Sequence, residues 1–189
     1  IHFHTKKVSG GREEVPYYEC IVEYITKAET ARDFFEDALM CSFFYGMPIL
    51  FENNKYDLYR HFDARGYSEY LMDNPKEFEK KGSRASTSKS KIKGQHSNTD
   101  TNNTHAGFLQ SYVYEYIGED EETGEIGDFP FLKTLRQLAQ FSVEERGSLD
   151  GAVSLGLALM AVSDREYNLN EQREKTHPLI RKGKIRISY

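Results

Sequence analysis

The segment Pro48-Ile49-Leu50-Phe51-Glu52-Asn53-Asn54 constrains the fold of this chain more than any other. Gly46 and Pro48 close off what precedes it. Ile49, Leu50 and Phe51 form an apolar run of the kind that fills a central strand. Asn54 is a good N-cap, and Asp57 follows three residues later in what would be the first turn of a helix. The pattern therefore predicts a buried strand that ends in a carboxylate and passes at once into a helix. Open α/β sheets place their chemistry at the carboxyl ends of strands, which is where Glu52 stands. A carboxylate ending a buried strand needs a partner. Two readings stand side by side: a structural glutamate held by neighbouring N–H groups, and a functional acid.

Composition limits what surrounds this segment. A chain of 189 residues is one domain, or one domain plus a tail. The net charge of −5, with 29% charged residues, means that any nucleic-acid-binding charge must be local. Cys20 and Cys41 lack CxxC spacing and lie in apolar surroundings, so they read as reduced core thiols of an intracellular protein. No apolar run approaches the roughly 20 residues of a membrane span, and no signal peptide is evident. Ile1-His2-Phe3-His4 alternates like a strand already in progress, so the chain is expected to begin inside a domain. His2 and His4 share a strand face, but no third ligand has metal-site spacing.

The remaining pattern predicts a mixed α/β order. Residues 1–8 and 15–25 read as two strands of a hairpin around the turn signal Ser9-Gly10-Gly11-Arg12. Thr26-Lys27-Ala28-Glu29 has the capping-box pattern, and a helix is expected to run from it to about Tyr45, with Gly46 as its stop. Ala31, Phe34, Phe35, Ala38, Leu39 and Ser42 form one face of it. A helix over 55–65 and a short strand over 67–72 follow the Glu52 strand. Residues 76–103 are Ser, Thr, Asn, Lys and Gly with almost no apolar residue, and read as a mobile polar insertion. Lys76, Lys80, Lys81, Arg84, Lys89, Lys91 and Lys93 concentrate positive charge there; a solvated loop and a phosphate-contacting loop are both consistent with it. A helix from Thr104 carries the stripe Phe108, Leu109, Tyr112, Val113, Tyr116 and Ile117 and stops at Gly118. Leu132, Leu135 and Leu138 mark another helix. Residues 149–162 form a small-residue helix, apolar nearly all round and so buried on several sides.

Asp150 opens that last helix, with Ser148 as cap. Alone it reads equally as compensation of the helix dipole. With Glu52 it suggests more. Two carboxylates converging at a sheet edge repel unless a cation sits between them, and hard divalent cations suit one or two carboxylates plus water. Asp73, after the next strand, reads as a turn residue before Pro75.

The segment Tyr45-Gly46-Met47-Pro48-Ile49-Leu50-Phe51-Glu52-Asn53-Asn54 resembles the second acidic motif of the nuclease domain of large terminase subunits of tailed bacteriophages. Ser148-Leu149-Asp150-Gly151-Ala152-Val153-Ser154-Leu155-Gly156-Leu157-Ala158-Leu159-Met160 resembles that domain's last acidic motif. The resemblance covers residues 1–162. It implies an α/β, RNase H-like mixed sheet flanked by helices, lacking its first strand here. Residues 1–163 would be an N-terminally incomplete nuclease domain with the insertion at 76–103, and residues 164–189 a basic tail. It implies an endonuclease that cuts concatemeric viral DNA with two Mg²⁺ or Mn²⁺ ions about 4 Å apart. Glu52 and Asp150 would be catalytic metal ligands and Asp73 a further one. Lys81, Arg84, Lys89, Lys91 and Lys93 would contact double-stranded DNA. The implied setting is the cytoplasm of an infected bacterium. The implied partners are an ATPase domain in the same full-length chain, the small terminase subunit and the portal, with no membrane.

The family's first ligand is an Asp on the first strand, which should precede Ile1; no residue here takes its place. No GxxxxGK[ST] phosphate loop occurs in this sequence, so ATP hydrolysis is not expected from it. Two alternatives remain open: another RNase H-like nuclease of resolvase or integrase type, and a truncated, inactive module that binds DNA or other motor subunits.

Overall fold

The computed structural model describes residues 2–7, 14–54, 56–75, 93–118, 127 and 129–163. They belong to two compact units. Residues up to 27 and 97–163 form one, and residues 28–96 lie in the other.

The expected mixed sheet flanked by helices is not what the described residues form. Helices dominate. Among the described residues, the strands β1 (His2–Lys7) and β2 (Glu14–Glu19) pair only with each other, antiparallel, with His2 opposite Glu19. The segment after β2, expected to continue as strand to residue 25, runs on without ladder pairing. Around Glu52 there are isolated bridges: Ile49 with Leu71, Glu52 with Gln95, and Asp73 with Lys93. The physical reasons are local. Pro48 removes a donor immediately before an apolar run of three residues, and the Asn53-Asn54 turn closes it. Residues 67–72 spend half their length in a 3₁₀ turn, Ser68–Tyr70, where Tyr70 N–H donates back to Tyr67 O. Gly94 takes a left-handed φ of 78° and interrupts 93–95. No segment is long enough to extend a ladder.

In the second unit, α1 (Ala31–Tyr45) begins one turn later than the Thr26–Glu29 pattern predicts. Thr30 is the N-cap: its hydroxyl accepts from Asp33 N–H at 3.2 Å, and the Asp33 carboxylate accepts from Thr30 N–H at 3.2 Å. The same reciprocal chemistry is thus supplied by a better-placed pair. Gly46 ends α1 with φ 63°. Leu39 and Ser42 are buried, whereas Phe34 from the expected apolar face is exposed. The helix α2 is Asp57–Ala64, shorter than expected, and Asn54 does not cap it. Leu39, Phe51, Phe62, Tyr70 and Leu71 form the core of this unit. Phe62 and Leu71 have no exposed surface, and each such burial is worth about 1.5–3 kcal/mol.

At the α1–α2 contact, Glu36 accepts from His61 Nε2 at 2.9 Å and from Arg65 Nη2 at 2.6 Å. The hydrogen bond from His61, and then the charge of Arg65, hold the Glu36 carboxyl below the usual glutamate range against an opposing desolvation.

In the first unit, Asn98 caps α3 (Thr99–Tyr112) through a second reciprocal box with Thr101. The polar stretch expected to reach residue 103 therefore gives way to helix at Thr99. Beyond α3 the chain makes a π-helical turn, Val113–Ile117, before Gly118. The helices α4 (Leu132–Leu138) and α5 (Asp150–Ser163) follow. Cys20, Leu109, Tyr112, Leu155 and Leu159 are the buried core, with Phe129 and Phe131 packed on it. Burial pushes the Cys20 thiol up, partly opposed by its contact with the Tyr112 hydroxyl at 3.6 Å. Cys20 and Cys41 are free thiols.

The small residues of α5 have a specific use. His105 on α3 is buried and donates from Nε2 to Val153 O on α5 at 2.8 Å. Its ring lies where a Cβ on Gly156 would stand. The ring cannot step aside without losing that bond, so Gly156 is the notch that lets α3 and α5 close.

Two predictions follow from these contacts. Alanine is intrinsically the better helix former by about 1 kcal/mol. Gly156→Ala should nonetheless lower stability by about 1–3 kcal/mol through overpacking. The same substitution should cost less in a His105→Ala background, as read from thermal or urea unfolding; a Gly156→Ala variant as stable as wild type would contradict the notch. For Glu36, a lowered folded-state pKa means stability present above the unfolded-state pKa and lost as pH falls through the folded-state value. Glu36→Gln should therefore be less stable than wild type at neutral pH, and the gap should shrink as the solution is acidified below the glutamate range. A gap that stays constant on acidification would show that the carboxylate contributes nothing through its charge.

Candidate functional site

Glu52 is half-buried and ends the buried pair Leu50 and Phe51. Its main chain is fixed from both sides by one neighbour: Gln95 N–H donates to Phe51 O at 2.7 Å, and Asn53 N–H donates to Gln95 O at 3.0 Å. The preceding stretch is held parallel to 71–72, with Ile49 N–H to Tyr70 O at 2.7 Å and Met72 N–H to Ile49 O at 2.9 Å. Glu52 therefore ends a short backbone-paired segment held by isolated bridges, not the strand expected from the sequence.

Asp73 and Lys93 are brought together. Lys93 Nζ lies 3.0 Å from Asp73 Oδ1 and donates to Leu71 O at 2.8 Å. Their side chains are only 17% and 15% exposed, so both charges are largely out of water and depend on each other. Asn53 closes the other side of this strap, its Nδ2 donating to Lys93 O at 3.0 Å. Gly94 between them packs against Phe51. A Cβ there would stand 2.7 Å from Phe51 O and 2.8 Å from the ring.

Asp150 is exposed and opens α5, in the first unit. The first free N–H groups of that helix are not left to water. Gly151 N–H and Ala152 N–H both donate to Gln137 Oε1 on α4, at 2.7 and 3.2 Å. In the same unit Glu23 accepts from Thr134 N–H at 3.1 Å and from Thr134 Oγ1 at 2.6 Å, which caps the start of α4 from far away in sequence. Lys81, Arg84, Lys89 and Lys91 lie outside the described residues.

The donor set decides what this arrangement can hold. Among the described residues, no group of three or more His, Cys, Asp or Glu side chains comes together to take a metal ion. Asp73 is engaged by an ammonium, and Glu52 and Asp150 belong to different units. Within either unit, the described residues bring together no donor set for a two-ion centre.

Asn53, Gln95 and Gly94 were not singled out from sequence. The signal available was slight: Lys-Gly-Gln at the end of a polar stretch, with Gly94 as a turn residue. Gln137 and Glu23 as remote caps carry no local signal at all.

The chain matches no protein-family model, no curated protein and no solved structure. No helix among the described residues is long and apolar enough to cross a membrane.

The strap gives a paired prediction. Gly94 and Gly66 have nearly the same left-handed φ, 78° and 79°, but a Cβ on Gly66 meets nothing within 4 Å. Gly66→Ala should cost only the backbone conformation, about 1–2 kcal/mol. Gly94→Ala should cost distinctly more, because it also collides with Phe51, and equal unfolding midpoints for the two variants would disprove the close approach.

Proposed function

We propose that this chain is part of the DNA-cutting portion of a viral genome-packaging terminase large subunit, and that Glu52 and Asp150 are acids on which metal-dependent cleavage of double-stranded DNA depends. The observation that carries this reading is the agreement of local setting with motif. Glu52 ends a buried, backbone-paired segment, and Asp150 opens a small-residue helix whose next two residues, Gly151 and Ala152, are buried. The resembling motifs carry their acids in the same order, the second at the end of a buried segment, here without the sheet around it, and the last at the start of a small-residue helix. The cations would be Mg²⁺ or Mn²⁺, with further ligands from outside the described residues. The basic positions Lys81, Arg84, Lys89 and Lys91 would hold phosphates without reading bases. The ATPase domain of the same full-length protein, the small terminase subunit and the portal would be its partners, in the cytoplasm of the infected host.

One observation favours a second reading, a module that binds DNA or motor subunits and does not cut: the described residues bring no metal-holding cluster together. The two readings separate in one experiment on the natural full-length protein. Cleavage of linear duplex DNA is measured with Mg²⁺, with Mn²⁺ and with chelator. Glu52→Gln and Asp150→Asn should each lower the rate on the order of 100-fold or more while circular dichroism stays that of wild type. Duplex binding with full salt dependence and no cleavage under any metal would establish the second reading. Cleavage that survives both substitutions would remove these acids from the chemistry.

A further inference from the structure

We propose that Lys93 is a positioning residue for Glu52: its ammonium, held between the Asp73 carboxylate and Leu71 O, fixes the strap that sets the main chain on both sides of Glu52. The inference rests on the reading of Glu52 as a functional acid, but its structural half stands apart from that reading.

The chain of contacts is short. The Lys93 charge is almost wholly used inside the protein, 3.0 Å from Asp73 and 2.8 Å from Leu71 O. Its main chain is tied to the Glu52 turn by Asn53 Nδ2 at 3.0 Å. One residue on, Gly94 N–H donates to Met72 O at 2.8 Å. The next residue, Gln95, bonds the carbonyl just before Glu52 and the N–H just after it. Residues 93–95 are therefore a strap with its first residue anchored by charge and its third gripping Glu52. Removing either charge leaves the other largely out of water without its counter-charge, and the cheapest relief is for the strap to lift. Glu52 would then keep its side chain and lose its fixed backbone.

This assigns to Lys93 and Asp73 roles different from those their residue types suggest. A lysine at the end of a basic stretch invites the role of phosphate contact, and an aspartate after a short buried segment invites that of metal ligand. In this geometry the two face each other at 3.0 Å.

The natural full-length protein tests it with four variants: Lys93→Met, Asp73→Asn, the double variant and Lys93→Arg. Hydrogen exchange at the Gln95 and Asn53 amides reads the strap without reference to activity. It should accelerate about tenfold or more in Lys93→Met and in Asp73→Asn, with the α5 amides unchanged, because only a local opening is made easier. The double variant should be no worse than either single one, because the two groups act as a unit. Lys93→Arg should restore slow exchange. In cleavage assays, kcat should fall by about tenfold or more in the single variants, since small misplacement of a reacting group is costly. Duplex affinity should stay unchanged in them.

Affinity that falls with a salt slope flatter by about 0.9, with exchange unchanged, would make Lys93 a phosphate contact and overturn the proposal. Unchanged exchange in Asp73→Asn would overturn it as well. A wild-type protein that never cuts DNA defeats the proposed function and with it the functional half of this inference, while the exchange measurement still decides whether Lys93 sets the Glu52 backbone.

Discussion

An ammonium set between a carboxylate and a main-chain carbonyl is the interaction on which the 49–53, 71–73 and 93–95 segments depend. Lys93, Asp73 and Leu71 O satisfy one another in a place with little water. A pair of this kind is weak evidence for net stability, because desolvation offsets much of the attraction. It is stronger as a specifier. In a regular sheet, register comes from a ladder of many bonds. Here three short segments share only isolated bridges, and one charged anchor with a few amide bonds has to do what a ladder would do. Phe51 and Leu71 supply the apolar burial beneath it, and Gly94 the close approach that burial requires.

The other unit meets a related constraint by different means. Every helix, short or long, has unsatisfied terminal groups that need partners. The helices α4 and α5 solve this with side chains distant in sequence, Glu23 for α4 and Gln137 for α5. A helix capped from elsewhere forms only when the tertiary structure forms. Gly156 and His105 act in the same sense. The ring fits only where a Cβ is missing, and it holds the α5 backbone by Val153 O. Packing and polar satisfaction in this unit are thus one event rather than two.

These features explain what could be read along the chain and what could not. The helices α1 and α5 were legible because their signals are local: apolar spacing, the Gly46 stop, small residues in series. The α3 stripe was legible too, though its start was not, since Asn98 and Thr101 sat in a stretch judged by its polarity. The sheet is not readable from Ile49, Leu50 and Phe51, which look the same whether a ladder or two bridges surrounds them. The period that marks a strand needs more than three residues to show itself. Of the site, the local settings of Glu52 and Asp150 were visible, and the fate of Lys93 was not. Charge type is written in the sequence, whereas whether a charge faces solvent or a partner depends on contacts between residues 20 apart.

That distinction bears on how a basic stretch should be read. Phosphate binding draws on cations that remain hydrated and available, because its free energy comes largely from released counterions. A lysine already neutralised by an internal carboxylate has no such release to offer. By the geometry of its contacts, its removal is expected to loosen the main chain near Glu52. A run of Lys and Arg is therefore a mixture, and its members separate by exposure and partner rather than by sequence neighbours. Lys93, with 17% of its side chain exposed and two internal partners, falls on the structural side of that division. On the proposed reading, the charge offered to duplex DNA by this part of the chain would come from its other basic residues, Lys76, Lys80, Lys81, Arg84, Lys89 and Lys91.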